Sequence, residues 1–308
     1  MRPALLVPLV LFVAPAAWPA ERLVERAPTT LVEAGQPVTL EVVLYVPDGA
    51  GPFPTLIFHH GSTGRGDDPS LFPRTFESPA MAQLFNAQGW LVVFPQRRGR
   101  GASDGLYDEG FEPDRSGYSC APAISLAGLA RAKQDLDEVL AYLERRGGAD
   151  AARVLVGGVS RGGILSMAYA AEHPSRFVGV LNFVGGWIGE GCGTGEAINT
   201  STFVAAARFR GPTLWLYGEN DPFYSLKHSR KNFRAFRDAG GNGEFVSYSL
   251  GEGVNGHAVL GHPDLWRERV LAFVAKLRRA EEAASRATGT SCCSGAATER
   301  RSSPPGLF

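Results

Sequence analysis

The stretch Val154-Leu-Val-Gly-Gly-Val-Ser-Arg-Gly-Gly163 constrains this chain more than any other. It reads as a short apolar strand, a sharp glycine-rich turn with Ser160 at its apex, and a helix with Ile164, Leu165, Met167 and Ala168 on its apolar side. Strand and helix approach closely at such a turn, so the neighbours of the apex residue must be small. Gly158 and Gly162 meet that demand. The serine hydroxyl then projects above a sheet edge, where the next backbone N–H can face a developing negative charge.

The Gly-x-Ser-x-Gly pentad is weak by itself. With 38 Gly in 308 residues, chance supplies roughly 0.3 such pentads per chain. A second one stands at Gly101-Ala102-Ser103-Asp104-Gly105. Context separates the two. Ser103 follows an Arg/Gly-rich stretch and has no helix-period run behind it, whereas Ser160 has the strand before it and the helix after. Ser160 is the expected reactive serine.

The rest of the chain alternates strand and helix patterns. β-rich or buried apolar runs fall at 40–46, 55–59, 90–94, 177–183, 213–217 and 244–250, with a weaker strand near 30–33. Helical spacing marks 79–87, 126–146, 223–239 and 263–279, the last with Pro263 at its first position. This order predicts an α/β fold with a mostly parallel sheet covered on both faces. Hydrophobic residues at 44% are ample for the core of one large domain. A long loop from about 95 to 121 has the length of a functional loop, and 185–208 leaves room for a small lid. The tail 280–308 lacks a core pattern and is expected to be disordered.

Residues 1–20 have the pattern of an export signal: Arg2, an apolar core from Ala4 to Val13, then small residues for cleavage. The run is shorter than the roughly 20 apolar residues that span a bilayer, and Pro8 and Pro15 interrupt it. The mature chain is therefore expected to be an exported soluble domain over 21–279, in the periplasm or outside the cell. Net charge is zero and no long basic run occurs, so nothing points to nucleic acid or an anionic membrane surface. In an oxidising compartment Cys120 and Cys192 could bridge two long loops; the alternative is two unrelated thiols.

A serine needs a base to become a nucleophile, and the base needs an acid to orient it. In open α/β sheets such chemistry gathers beyond the carboxyl ends of strands. Glu219-Asn220-Asp221-Pro222 follows the strand at 213–217, and Gly251 to His257 follows the strand at 244–250. The chain order Ser160, Asp221, His257 matches one of the known triad orders. Glu219 is the alternative acid, and His262 the alternative base, although its place against Pro263 suits a helix cap better. His59 and His60 lack the spaced partners of a zinc site, and His173 and His228 read as surface groups. Arg97, Arg98 and Arg100 either hold their loop together or bind a substrate carboxylate; the first reading is favoured.

With these motifs in place the chain resembles the α/β-hydrolase superfamily, closest to its dienelactone-hydrolase-like and prolyl-oligopeptidase-like branches. The resemblance runs from about Val42 to Leu277. It rests on His60-Gly61-Ser62, Arg98 to Gly105, Gly158 to Gly163, Gly218 to Pro222, and Gly256-His257. It implies an α/β-hydrolase fold with Ser160 as nucleophile, His257 as general base and then acid, and Asp221 as the orienting acid. The oxyanion donors implied are the backbone N–H groups of Ser62 and Arg161. The chain departs from dienelactone hydrolases in having Ser160 where they carry cysteine, and the large propeller of prolyl oligopeptidases has no counterpart here. The expected activity is hydrolysis of a small-molecule carboxylic ester, with no cofactor or metal implied. A peptidase or acyltransferase on small substrates, and a catalytically inactive binding protein, are the alternatives.

Overall fold

The computed structural model describes residues 21–287. Eight strands form one sheet: β1 (Glu21–Glu33), β2 (Gln36–Val46), β3 (Phe53–His59), β4 (Leu91–Pro95), β5 (Ala149–Val159), β6 (Gly179–Phe183), β7 (Thr213–Gly218) and β8 (Gly243–Tyr248). The helices are α1 (Pro79–Asn86), α2 (Pro122–Arg146), α3 (Arg161–Glu172), α4 (Gly195–Ala206), α5 (Leu226–Asp238) and α6 (Pro263–Ala287). Across the sheet the order is β1-β2-β4-β3-β5-β6-β7-β8. The pairs β1/β2 and β2/β4 are antiparallel, and every pair from β4 onward is parallel.

Successive residues of a strand point to opposite faces of its sheet. Leu56, Ile57 and Phe58 of β3 are all buried, as are Leu214, Trp215 and Leu216 of β7, so both faces of the central sheet are covered. The core behind the site is aromatic. Phe58 meets Phe94 and Phe183 edge-on at 6.3 and 5.8 Å, and Phe183 meets Trp266 at 5.4 Å.

Three elements differ from the sequence reading. The weak strand near 30–33 is the end of a 13-residue strand, β1, paired with β2 as an antiparallel hairpin. Most of its side chains stay at least partly in solvent, so it carries little apolar signal. The 185–208 segment contains α4, and α6 runs past residue 279 to Ala287. Residues 1–20, with the proposed export signal, and 288–308 lie outside the described residues. No helix among the described residues is long and apolar enough to cross a membrane. The chain forms two compact units, one ending at Trp266 and holding the whole sheet, the other starting at Arg267.

Candidate active site

The site gathers at the carboxyl ends of β3, β5 and β7. Ser160 sits between β5 and α3 with φ 56° and ψ −121°, a conformation costly for a residue with a side chain. Its backbone is held on both sides: the N–H donates to Phe183 O at 2.8 Å, and the carbonyl accepts from Gly163 N at 2.9 Å and Gly186 N at 3.3 Å. The close approach read from the sequence is present. A Cβ at Gly158 would lie 2.7 Å from His59 O and closer still to the backbone of Gly162.

Asp221 and His257 come together. Asp221 Oδ1 accepts from the N–H groups of Phe223 (2.8 Å) and Tyr224 (3.1 Å), which fixes the carboxylate. Its Oδ2 stands 2.8 Å from His257 Nδ1. That partnership places the ring proton on Nδ1 and leaves Nε2 free to accept one. Asn255 Oδ1 accepts from His257 N at 2.8 Å and sets the turn that carries the histidine. Phe223 and Tyr224 pack on the imidazole, with ring centroids 4.8 and 5.7 Å away.

Ser160 and His257 line one cavity of about 970 Å³, together with Ser62 and Arg161. The volume is at the upper end of small-molecule pockets. Ser62 is placed by its neighbours. His60 Nε2 accepts from Arg97 N at 3.2 Å, so its Nδ1 holds the proton and donates to Gly61 O at 2.8 Å. Arg100 Nη1 reaches the same carbonyl at 3.4 Å. In a trans peptide the N–H of Ser62 is antiparallel to that carbonyl, so it faces away from its anchors. Burial, with Arg97 and Arg100 nearby, pushes the His60 pKa well below the ordinary histidine range and keeps the ring neutral. Arg161 opens α3, where the first N–H groups have no acceptor within the helix and the helix dipole is positive.

The alternatives separate. Ser103 is buried away from the cavity, donating to Gln96 O and accepting from Glu41 N at 2.7 and 2.8 Å. Glu219 is exposed, and His262 ends a 3₁₀ turn outside the cavity lining. His228 is not a surface group: it is 5% exposed, with Nε2 at 3.1 Å from Asn199 Nδ2. Arg97 pairs with Glu109 at 2.6 Å and Arg98 with Asp135 at 2.5 Å, both buried, while Arg100 reaches the cavity wall. The Arg161 guanidinium lies over Tyr118 and Trp187 and donates to Glu109 O at 2.7 Å. Cys120 and Cys192 form a disulfide, and Cys192 is part of the wall. The sequence reading missed Glu109, Tyr118, Trp187 and Tyr224. Glu109, Tyr118 and Trp187 meet Arg161 from distant stretches of the chain, and Tyr224 meets His257 across 33 positions, so no short motif marks them.

Residues 41–264 match the model of the dienelactone hydrolase family. A protein of Methylorubrum extorquens, provisionally named a carboxymethylenebutenolidase, is 32% identical over 126 residues, 41% of this chain and 42% of that relative. The chain thus spans about two fifths of that relative's length. An esterase of Pyrococcus furiosus has a similar structure (TM-score 0.58, 13% identity, 83% of this chain and 90% of that one). So has the acylaminoacyl peptidase of Pyrococcus horikoshii (TM-score 0.55, 15% identity, 82% of this chain and 41% of that one). At these identities the structural likeness concerns the fold.

Proposed function

The chain belongs to the dienelactone hydrolase family, and from that premise we propose that it is an exported serine hydrolase cleaving carboxylic esters of small molecules. Ser160 Oγ attacks the ester carbonyl while His257 Nε2 takes its proton. Asp221 holds the imidazole and offsets the charge it gains. The carbonyl oxygen, now negative, accepts from the N–H groups of Ser62 and Arg161. One such donor is typically worth about 2.7–4 kcal/mol of barrier. His257 returns its proton to the leaving alcohol, and water then releases the acid from Ser160 by the same steps in reverse order. The observation that carries this reading is the 2.8 Å contact of Asp221 and His257 on a cavity shared with a conformationally strained serine.

Export is supported by the pattern of residues 1–20 and by the Cys120–Cys192 bridge, since such bridges persist in oxidising compartments. The mature domain then starts near residue 21. Hydrolysis of p-nitrophenyl acetate tests the enzymatic reading. Ser160→Ala should lower kcat by at least about 10³-fold, while Ser103→Ala should keep most of the activity. A fatal Ser103 change with an active Ser160 variant would overturn the assignment.

A further inference from the structure

The loop that carries Ser62 is held from a side the triad does not use. Before Ser62, the carbonyl of Gly61 is anchored by His60 and Arg100. After it, the N–H of Thr63 donates to the hydroxyl oxygen of Tyr118 at 3.1 Å, and Thr63 Oγ1 lies 3.1 Å from the same oxygen. The backbone N–H of Tyr118 donates to Arg65 O at 3.1 Å, so one residue ties both ends of the 63–65 turn. Tyr107 sets the direction of these bonds. Its buried hydroxyl donates to Glu109 Oε2 at 3.2 Å, so it accepts the Tyr118 proton at 2.7 Å and leaves the Tyr118 oxygen to accept from Thr63. Burial, and next the Glu109 charge, raises the Tyr107 pKa well above the ordinary phenol value and keeps that donor protonated. The Tyr118 ring meets the other oxyanion residue, with the Arg161 guanidinium 3.5 Å from its centroid. The close packing of ring and turn needs Gly66, where a Cβ would lie 2.8 Å from the Phe111 ring and 3.2 Å from that of Tyr118.

Resting on the serine-hydrolase reading, we propose that Tyr118 is a positioning residue for the oxyanion site, whose hydroxyl fixes the Thr63 N–H, and with it the aim of the Ser62 N–H, while its ring seats Arg161. Two rigid peptide planes meet at Ser62. The Gly61 carbonyl anchors the first and the Thr63 N–H the second, so both backbone torsions of Ser62 are held. Without the Tyr118 hydroxyl the second plane loses its anchor, and the Ser62 N–H can swing off its line. Oxyanion donors are worth most when they are already aimed at the place where charge develops, because nothing then reorganises during the reaction. A donor slightly off aim still meets a neutral ester, whose carbonyl oxygen carries little charge, but it stabilises the tetrahedral state less. Tyr118 takes no part in proton transfer, since its own proton stays directed at Tyr107.

Tyr118→Phe tests this, because it keeps the ring under Arg161 and removes only the hydroxyl. For p-nitrophenyl acetate, kcat should fall about tenfold with KM within about twofold, a fraction of the roughly 10²–10³-fold that outright loss of a donor costs. A trifluoromethyl ketone bonds to Ser160 Oγ as a tetrahedral oxyanion while His257 takes the proton. Its affinity should fall by the same factor as kcat/KM. The pH profile of kcat/KM, set by His257, should stay in place. Tyr107→Phe, one bond further from the loop, should lower kcat and ketone affinity about threefold, and it reports the same link if the first variant fails to fold. A purely structural phenol predicts a lower Tm with wild-type kcat and ketone affinity in both variants. That pattern overturns the proposal, as does a displaced pH profile, which would put Tyr118 in the proton path. Wild-type protein that is folded yet neither hydrolyses the ester nor binds the ketone overturns the hydrolase reading, and this inference with it.

Discussion

The floor and the wall of the cavity are held by different forces. The floor, made by the ends of β3, β5 and β7, is fixed by backbone. Ser160 is clamped by four main-chain hydrogen bonds, to Phe183, Gly163, Ile164 and Gly186, and Gly158 allows strand and helix to touch. The wall, drawn from the 95–121 loop and the segment after β6, is fixed by side chains. Glu109 accepts from Arg97 and faces Arg161 at 3.6 Å, Tyr107 and Tyr118 share a 2.7 Å hydrogen bond, and the disulfide ties the two segments. A backbone-built floor holds Ser160 and its neighbours in register. A wall of side chains can change its lining by substitution without moving them.

The largest effect should come from the floor. Gly158→Ala sets a methyl against the backbone of Gly162 and His59, neither of which can yield. It should cost more than about 4 kcal/mol in urea unfolding, or leave no folded protein. A loss under about 1 kcal/mol would show that the floor adapts as a wall does. In the wall, Glu109→Ala strips the partner from two buried guanidinium groups and should cost about 3–5 kcal/mol. If the wall beyond Tyr118 shapes binding rather than chemistry, the surviving folded enzyme should show a raised KM with kcat within a few-fold. An equal fall in kcat would make the wall part of the catalytic frame.

A smaller effect separates the regions by pH. His59 and His60, at the end of β3, are buried, and both have pKa values well below the ordinary range; burial is the main cause and Arg97 the next. The unfolded chain therefore binds protons below pH about 6.5 that the folded chain refuses. Stability is complete above that pH and falls as the medium is acidified, by up to about 1.4 kcal/mol per pH unit for each histidine. Urea unfolding at pH 7, 6 and 5 would reveal the slope. A flat profile would mean these rings accept protons in place.

The same division explains what could be read in advance. Alternating strands and helices, the glycines around Ser160, and the order Ser160, Asp221, His257 are local patterns, set by periodicity and by strand ends. The wall is long-range. Arg161 lies 52 positions from Glu109, and Asn199, which accepts from Trp187 N at 2.8 Å, sits in a helix of Thr, Ser and Asn that lacks a strong helical signature. β1 was largely invisible because its strand is mostly polar and half in solvent. His228 looked like a surface group since only α4 and the segment before it reveal its partner.

The most direct measurement is the site of covalent capture. Purified protein treated with a fluorophosphonate, digested and mapped by mass spectrometry should carry one adduct per chain, on the peptide holding Ser160, with none on the Ser160→Ala protein. A folded chain that stays unlabelled, or one labelled at Ser103, would contradict a reactive serine at the head of α3.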